Sequence, residues 1–302
     1  MQKPYDQHGS MRTRAPGICV SKPTEQRIAL PHLTLSAQTW GEPDAPPLLA
    51  LHGWLDNAGS YALLAPLLAE RWRVIALDLP GHGHSDHLPA GAHYHFLDYV
   101  STVLAAAHTF GLERYTLLGH SLGAGIAALV AAAAPQCIDH LLLIEGLGPL
   151  GDDGTHTLQR FRDALAAPAA NSKTLRLFSS IEQATTARTI ASGLRTELAR
   201  PIVERSLIEA EDGWHWRTDP RLLRPSAVRL TESQIHALLA GIEAPTALLL
   251  AQPTTPYLPD APMQARVACV PRIAVEHLDG GHHLHLEHPQ AVAAWLLAHT
   301  DR

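Results

Sequence analysis

Short apolar runs with no regular polar face recur along this chain, each closed by a glycine, a proline or a polar residue. They are PLLALHG (47–53), RVIALDLP (73–80), YTLLGHS (115–121), HLLLIEG (140–146), TALLLAQ (246–252) and RIAVEHLDG (272–280). A strand with one wet face alternates; an unbroken apolar run is what a strand covered on both faces requires. Longer stretches with helical spacing lie between the runs, over 60–72, 97–110, 122–134, 231–242 and 288–299. The fourth opens with a capping box, Thr231 to Gln234. Strands alternating with helices predict an α/β fold: a mostly parallel central sheet flanked by helices. RIALPHLTLSAQTW (27–40) instead alternates as a hairpin does.

Residues 147–235 break this rhythm. They hold no convincing strand but do hold Leu/Ala/Arg-rich stretches such as HTLQRFRDALA. The expected organisation is a mobile N-terminal arm (1–24), a core made of 25–146 and 236–302, and a helical lid (147–235) inserted after the sixth strand. GWHWRTDPRLL (213–223) reads as a strap returning from lid to core, with Trp214 and Trp216 as packing residues. The lid arginines Arg160, Arg162, Arg176, Arg188 and Arg195 read as a solvated helix face.

A chain of 302 residues buries about three quarters of its surface on folding, so no disulfide or structural metal is needed. Lys plus Arg number 23 against 29 Asp plus Glu, a net charge of −6 that excludes a dominant nucleic-acid or anionic-membrane surface. Cys19, Cys137 and Cys269 are far apart and read as reduced thiols. No run is long enough for membrane insertion, and the N-terminus lacks a signal peptide's apolar stretch. A soluble cytoplasmic protein, monomer or homodimer, is expected.

Gly119-His120-Ser121-Leu122-Gly123 is G-x-S-x-G, and its setting gives it weight. It ends an apolar strand and opens an Ala-rich helix, as a nucleophile elbow must. Small residues flank the serine because the turn is sharp, and the helix N-terminus offers free N–H groups to a developing oxyanion.

LHGWLDNAGSY, ALDLPGHGHSD, LLGHSLGAGIA, LLLIEGLGPL and DGGHHLHLEHP occur in this order. Together they resemble the α/β-hydrolase superfamily, in its lidded branch related to serine hydrolase-like proteins, epoxide hydrolases and haloalkane dehalogenases. The resemblance spans roughly 25–150 and 230–302. It implies Ser121 as nucleophile and His282, the first histidine after Gly280-Gly281, as base. It also implies an oxyanion hole from the N–H groups of Leu122 and of Trp54, in His52-Gly53-Trp54. His52, Trp54 and His120 are expected at the substrate pocket, His283 as a loop packing residue and His285 at a helix start. His93, His95 and His288 are expected as surface or loop residues.

The acid departs from the family's commonest pattern. After TALLLAQ comes Pro253-Thr254-Thr255-Pro256, with Thr254 where an Asp would be expected. Two carboxylates remain open. Glu145 ends LLLIEG, where a buried carboxylate is costly unless it is paired; Asp260 lies further downstream. Glu145 is the preferred acid, resembling some haloalkane dehalogenases, with Asp260 as the alternative and Asp152 or Asp153 behind it.

With Ser rather than Asp at 121, acyl transfer is the natural chemistry. The expectation is a serine hydrolase, carboxylesterase-like, that cleaves a small to medium ester, thioester or lactone without a cofactor. Two rivals stand beside it. One is a receptor-like ligand-binding protein on the same fold. The other is a metal-dependent hydrolase using His82-Gly83-His84-Ser85-Asp86-His87, which spells a zinc-ligand string. Against the latter, the string sits inside DLPGHGHSD, where Asp78, Gly81, Gly83 and Ser85 serve backbone geometry.

Overall fold

A computed structural model describes residues 22–166, 177–255 and 259–301. Its strands are β1 (Thr24–Ala29), β2 (Thr34–Trp40), β3 (Pro47–Leu51), β4 (Arg73–Leu77) and β5 (Tyr115–His120). They continue with β6 (Ile138–Ile144), β7 (Leu207–Ala210), β8 (Gly213–Trp216), β9 (Thr246–Gln252) and β10 (Ile273–Asp279). The helices are α1 (Ala65–Leu68), α2 (Phe96–Thr109), α3 (Leu122–Ala133), α4 (Thr157–Ala166) and α5 (Ile181–Ser192). After them come α6 (Thr196–Ser206), α7 (Glu232–Leu239), α8 (Asp260–Val267), α9 (Leu284–Glu287) and α10 (Pro289–Thr300).

Eight strands form one sheet in the order β1-β2-β4-β3-β5-β6-β9-β10. The β1–β2 hairpin and the β2–β4 pair are antiparallel; every other neighbour is parallel. The apolar runs are buried on both faces by alternation within each strand. In β3, Leu48 and Ala50 join a core with α1 and α10, while Leu49 and Leu51 join a core with α2, α3 and α7. Each fully buried leucine contributes about 1.5–3 kcal/mol.

The chain passes from β3 to β4 on one side and then crosses back to β5 on the other. Reversals of this kind leave a crevice at the carboxyl ends of the strands. Because Leu51 pairs with Gly119 and His120 with Ile144, the loops after β3, β5 and β6 emerge side by side there.

Three expectations are corrected. The helix read over 60–72 is a 3-10 turn (Ala58–Tyr61) followed by the short α1. Pro66 has no N–H to continue a helix from residue 62. The stretch 147–235 does contain strands: β7 and β8 form an antiparallel hairpin closed by Glu211-Asp212, with Gly213 opening β8 at φ 137°. Thirdly, Thr24 already opens β1, and the rest of the expected arm up to residue 21 lies outside the described residues, as do Cys19 and Arg176. Trp214 and Trp216 pack as expected, Trp216 edge-on to Phe178.

The lid helices are pinned to the core by buried polar groups. Asn57 donates from Nδ2 to the Ile202 carbonyl (2.8 Å) and to Ser206 Oγ (2.7 Å). Arg205 on α6 bridges Asp78 and Glu25. Among the described residues, no helix is long and apolar enough to cross a membrane.

Candidate active site

Ser121 stands between β5 and α3 with φ 52° and ψ −113°, a conformation that costs a non-glycine residue about 1–3 kcal/mol. The flanking glycines make the turn possible. A Cβ on Gly119 would lie 2.4 Å from the Gly123 carbonyl oxygen, and one on Gly123 would lie 2.1 Å from that of Leu51. The helix begins at Leu122, so its first N–H groups have no partner within the helix.

His282, after β10, brings its Nε2 to 2.9 Å from Ser121 Oγ. Its Nδ1 lies 2.9 Å from Glu145 Oε2. Glu145 follows β6 at φ 54° and its side chain is almost wholly buried. Its remaining oxygen capacity is satisfied: Oε1 accepts from the Ala251 N–H (2.6 Å) and Oε2 from Thr255 Oγ1 (2.9 Å). Asp260 is elsewhere, accepting from Thr254 Oγ1. Asp152 accepts from Thr157 and Arg160, and Asp153 from the Thr155 N–H.

Two residues expected at the pocket are not there. His52 and His120 have no exposed surface. The Leu79 N–H donates to His52 Nε2 (3.0 Å), so its Nδ1–H donates to the Gly53 carbonyl (2.8 Å), locking the turn after β3. His120 points beneath the loop after β10 and donates from Nε2 to the His282 carbonyl (2.8 Å). Burial, reinforced by the neighbouring His285, His282 and His283, pushes the His120 pKa well down, so its ring is neutral. His283 forms the buried loop packing that was expected, and His285 lies inside α9 with Nε2 2.7 Å from Ser60 Oγ.

The pocket beside the serine is a cleft of about 330 Å³ lined by Trp54, Leu122, Phe96, Tyr99, Leu165 and Leu222, among others. The Trp54 indole donates to the Leu222 carbonyl (3.2 Å), joining the loop after β3 to the strap. His93 and His95, expected as surface or loop residues, are exposed in the loop before α2 and also line this cleft. The lid arginines are not uniformly a solvated face: Arg160 pairs with Asp152 and Arg188 with buried Asp56.

The side chains of HGHSDH diverge. His82 is buried against His52, Asp86 accepts from the Thr34 N–H, and His87 donates from Nε2 to the Arg217 carbonyl. Among the described residues, no three His, Cys, Asp or Glu side chains are grouped as a metal site. The segment serves Asp78, whose carboxylate accepts from the Ala58 and His84 N–H groups and occupies the space a Cβ on Gly83 would need.

Residues 46–207 match the model of the alpha/beta hydrolase fold family. The chain belongs to the α/β-hydrolase family. Within it, the chain is 30% identical over 282 residues to a serine hydrolase-like protein of Danio rerio, covering 90% of this chain and 86% of that one. Among solved structures, it superposes on a hypothetical protein of Pseudomonas aeruginosa PAO1 with TM-score 0.84 and 41% identity, covering 92% and 99% of the two chains. The thioesterase domain from the curacin biosynthetic pathway shares the fold, with TM-score 0.81, 24% identity and coverage of 92% and 100%. At this level the family and its relatives support a hydrolase.

Proposed function

We propose that this α/β-hydrolase cleaves carboxylic esters or thioesters through an acyl-enzyme on Ser121. The observation that carries the reading is the unbroken contact from Ser121 Oγ through both ring nitrogens of His282 to Glu145. In the first step Ser121 Oγ attacks the carbonyl carbon and its proton passes to His282 Nε2. The N–H groups of Leu122 and Trp54 receive the oxyanion. The imidazolium, held by Glu145, protonates the leaving group, and His282 then activates water to release the acid. Glu145 takes no proton; it fixes the tautomer that leaves Nε2 free to accept.

The apolar walls of the 330 Å³ cleft support a small to medium acyl group. The free thiols Cys137 and Cys269 fit a reducing, cytoplasmic compartment. The test is fluorophosphonate labelling together with turnover of p-nitrophenyl esters of increasing chain length, lactones and acyl-CoA thioesters. Both should vanish in Ser121→Ala. Labelling without turnover of any substrate would favour the ligand-binding reading instead.

A further inference from the structure

Asp56 follows the candidate oxyanion loop 52–54, and its side chain is 1% exposed. Three elements converge on it. Arg188, from lid helix α5, is hydrogen-bonded to Oδ1. His283, the chain neighbour of the base, brings Nε2 to 3.4 Å from Oδ2. His120, at the end of β5, packs over the same oxygen, its unprotonated Nδ1 3.9 Å away and beyond hydrogen-bond distance. The other nitrogen of His120 donates to the backbone carbonyl of His282. Burial opposes the charge on Asp56, yet the hydrogen bond from His283 and the charge of Arg188 hold its carboxyl well below the usual carboxylate range.

We propose that Asp56 and Arg188 are a positioning pair, through which the docked lid fixes the base loop and the oxyanion loop in register with Ser121. This rests on the serine-hydrolase reading of the site. Neither residue touches the cleft, whose lid wall comes from α4 and the segment 221–227. The pair therefore acts on the reacting geometry rather than on substrate affinity. Loss of Arg188 leaves a buried carboxylate without its cation, and the loops around it must shift to find water or another partner. Displacement of a catalytic group by about 1 Å costs on the order of 10² in rate.

The experiment is steady-state kinetics of wild type, Arg188→Met, Asp56→Asn and the double variant on a p-nitrophenyl ester that wild type turns over. Arg188→Met should lower kcat about 10²-fold with KM little changed. The double variant should recover at least about tenfold over Arg188→Met, because removing both partners also removes the uncompensated charge. A kcat close to wild type in Arg188→Met, a loss confined to KM, or a double variant no better than Arg188→Met would each overturn the pair. Should Arg188→Met fail to fold, Arg188→Lys and Arg188→Gln replace it. Lysine should then retain most of kcat and glutamine should not; equal losses would overturn the proposal. Ser121→Ala in the same assay tests the hydrolase reading separately, since turnover that survives it sinks that reading whatever Arg188 does.

Discussion

Glu145 meets His282 from the end of β6, with Oε2 2.9 Å from Nδ1, although β9 lies between β6 and the strand that delivers the histidine. The end of β9 and the loop after it supply hydrogen-bond donors instead of a carboxylate: the Ala251 N–H and the Thr255 hydroxyl both donate to Glu145. Thr254, where that Asp was expected, donates to Asp260, and its neighbour Thr255 is the donor to a carboxylate held one strand away.

Glu145→Gln should therefore lower kcat by about 10⁴ with little change in KM, because an amide offers the wrong partner to Nδ1 and frees the imidazole to take the other tautomer. Asp260→Asn, which only loosens a contact to Thr254, should leave kcat close to wild type. Steady-state kinetics on one ester decides between them, and the reverse pattern would move the acid to Asp260.

Asp78 is a structural anion. Its carboxylate accepts from two backbone N–H groups and from Arg205 on α6, and it has no exposed surface. Asp78→Ala should cost about 3–5 kcal/mol of stability, since Arg205 would be left buried and short of a counter-charge. Urea unfolding reads the loss directly. His84→Ala and His87→Ala should leave turnover near wild type, and a chelator should not inactivate the enzyme. Stoichiometric zinc together with loss of activity on chelation would restore the metal reading of HGHSDH.

The site was legible where a residue's chemistry and its steric setting agree. Gly119 and Gly123 flank Ser121 because no Cβ fits at either place, and this pattern is visible in one line of sequence. Glu145 was legible because an unpaired carboxylate cannot end a buried strand. His52 and His120 misled because a histidine at a strand's end can face the cleft or lie under the loops, and only the turn decides. His93 and His95 lie in a loop before α2 with no periodicity to aim them. The pairing of Asp56 with Arg188 spans 132 residues and has no local signature. The β7–β8 hairpin turns at Glu211-Asp212, not at an Asn-Gly or Asp-Gly pair, and its strands are only four residues long.

Acid should destabilise the protein before it protonates most carboxylates. Burial holds the pKa of His82 at about 3, helped by His52 beside it, and that of His285 at about 3, helped by His283; both start from an ordinary value of 6.5. Above pH 6.5 neither state binds the proton, so nothing changes. Between 6.5 and 3 the unfolded chain takes up protons that the folded chain refuses, and stability falls by about 1.4 kcal/mol per pH unit for each histidine. Urea midpoints should drop steadily from pH 6.5 to 4.5, with a shallower slope in His285→Gln. A flat profile over that interval would mean that these rings gain protons inside the fold.

Chain-length selectivity should be set where α4 closes the cleft. Ala164 is buried there and lines the same cavity as Tyr99 and Leu222, while Ser121, His282 and Glu145 are not among the residues lining it. Ala164→Phe would fill room that a longer acyl chain needs and leave the reacting atoms untouched. In a pocket of this kind each methylene is worth about 1–3 kcal/mol, or roughly 10–200-fold in kcat/KM. The octanoyl p-nitrophenyl ester should accordingly lose at least about tenfold relative to the acetyl ester. The rate of labelling by a small fluorophosphonate should hold steady, which separates a filled pocket from a damaged fold. Parallel loss on both esters with unchanged labelling would instead assign the acyl chain to another part of the crevice.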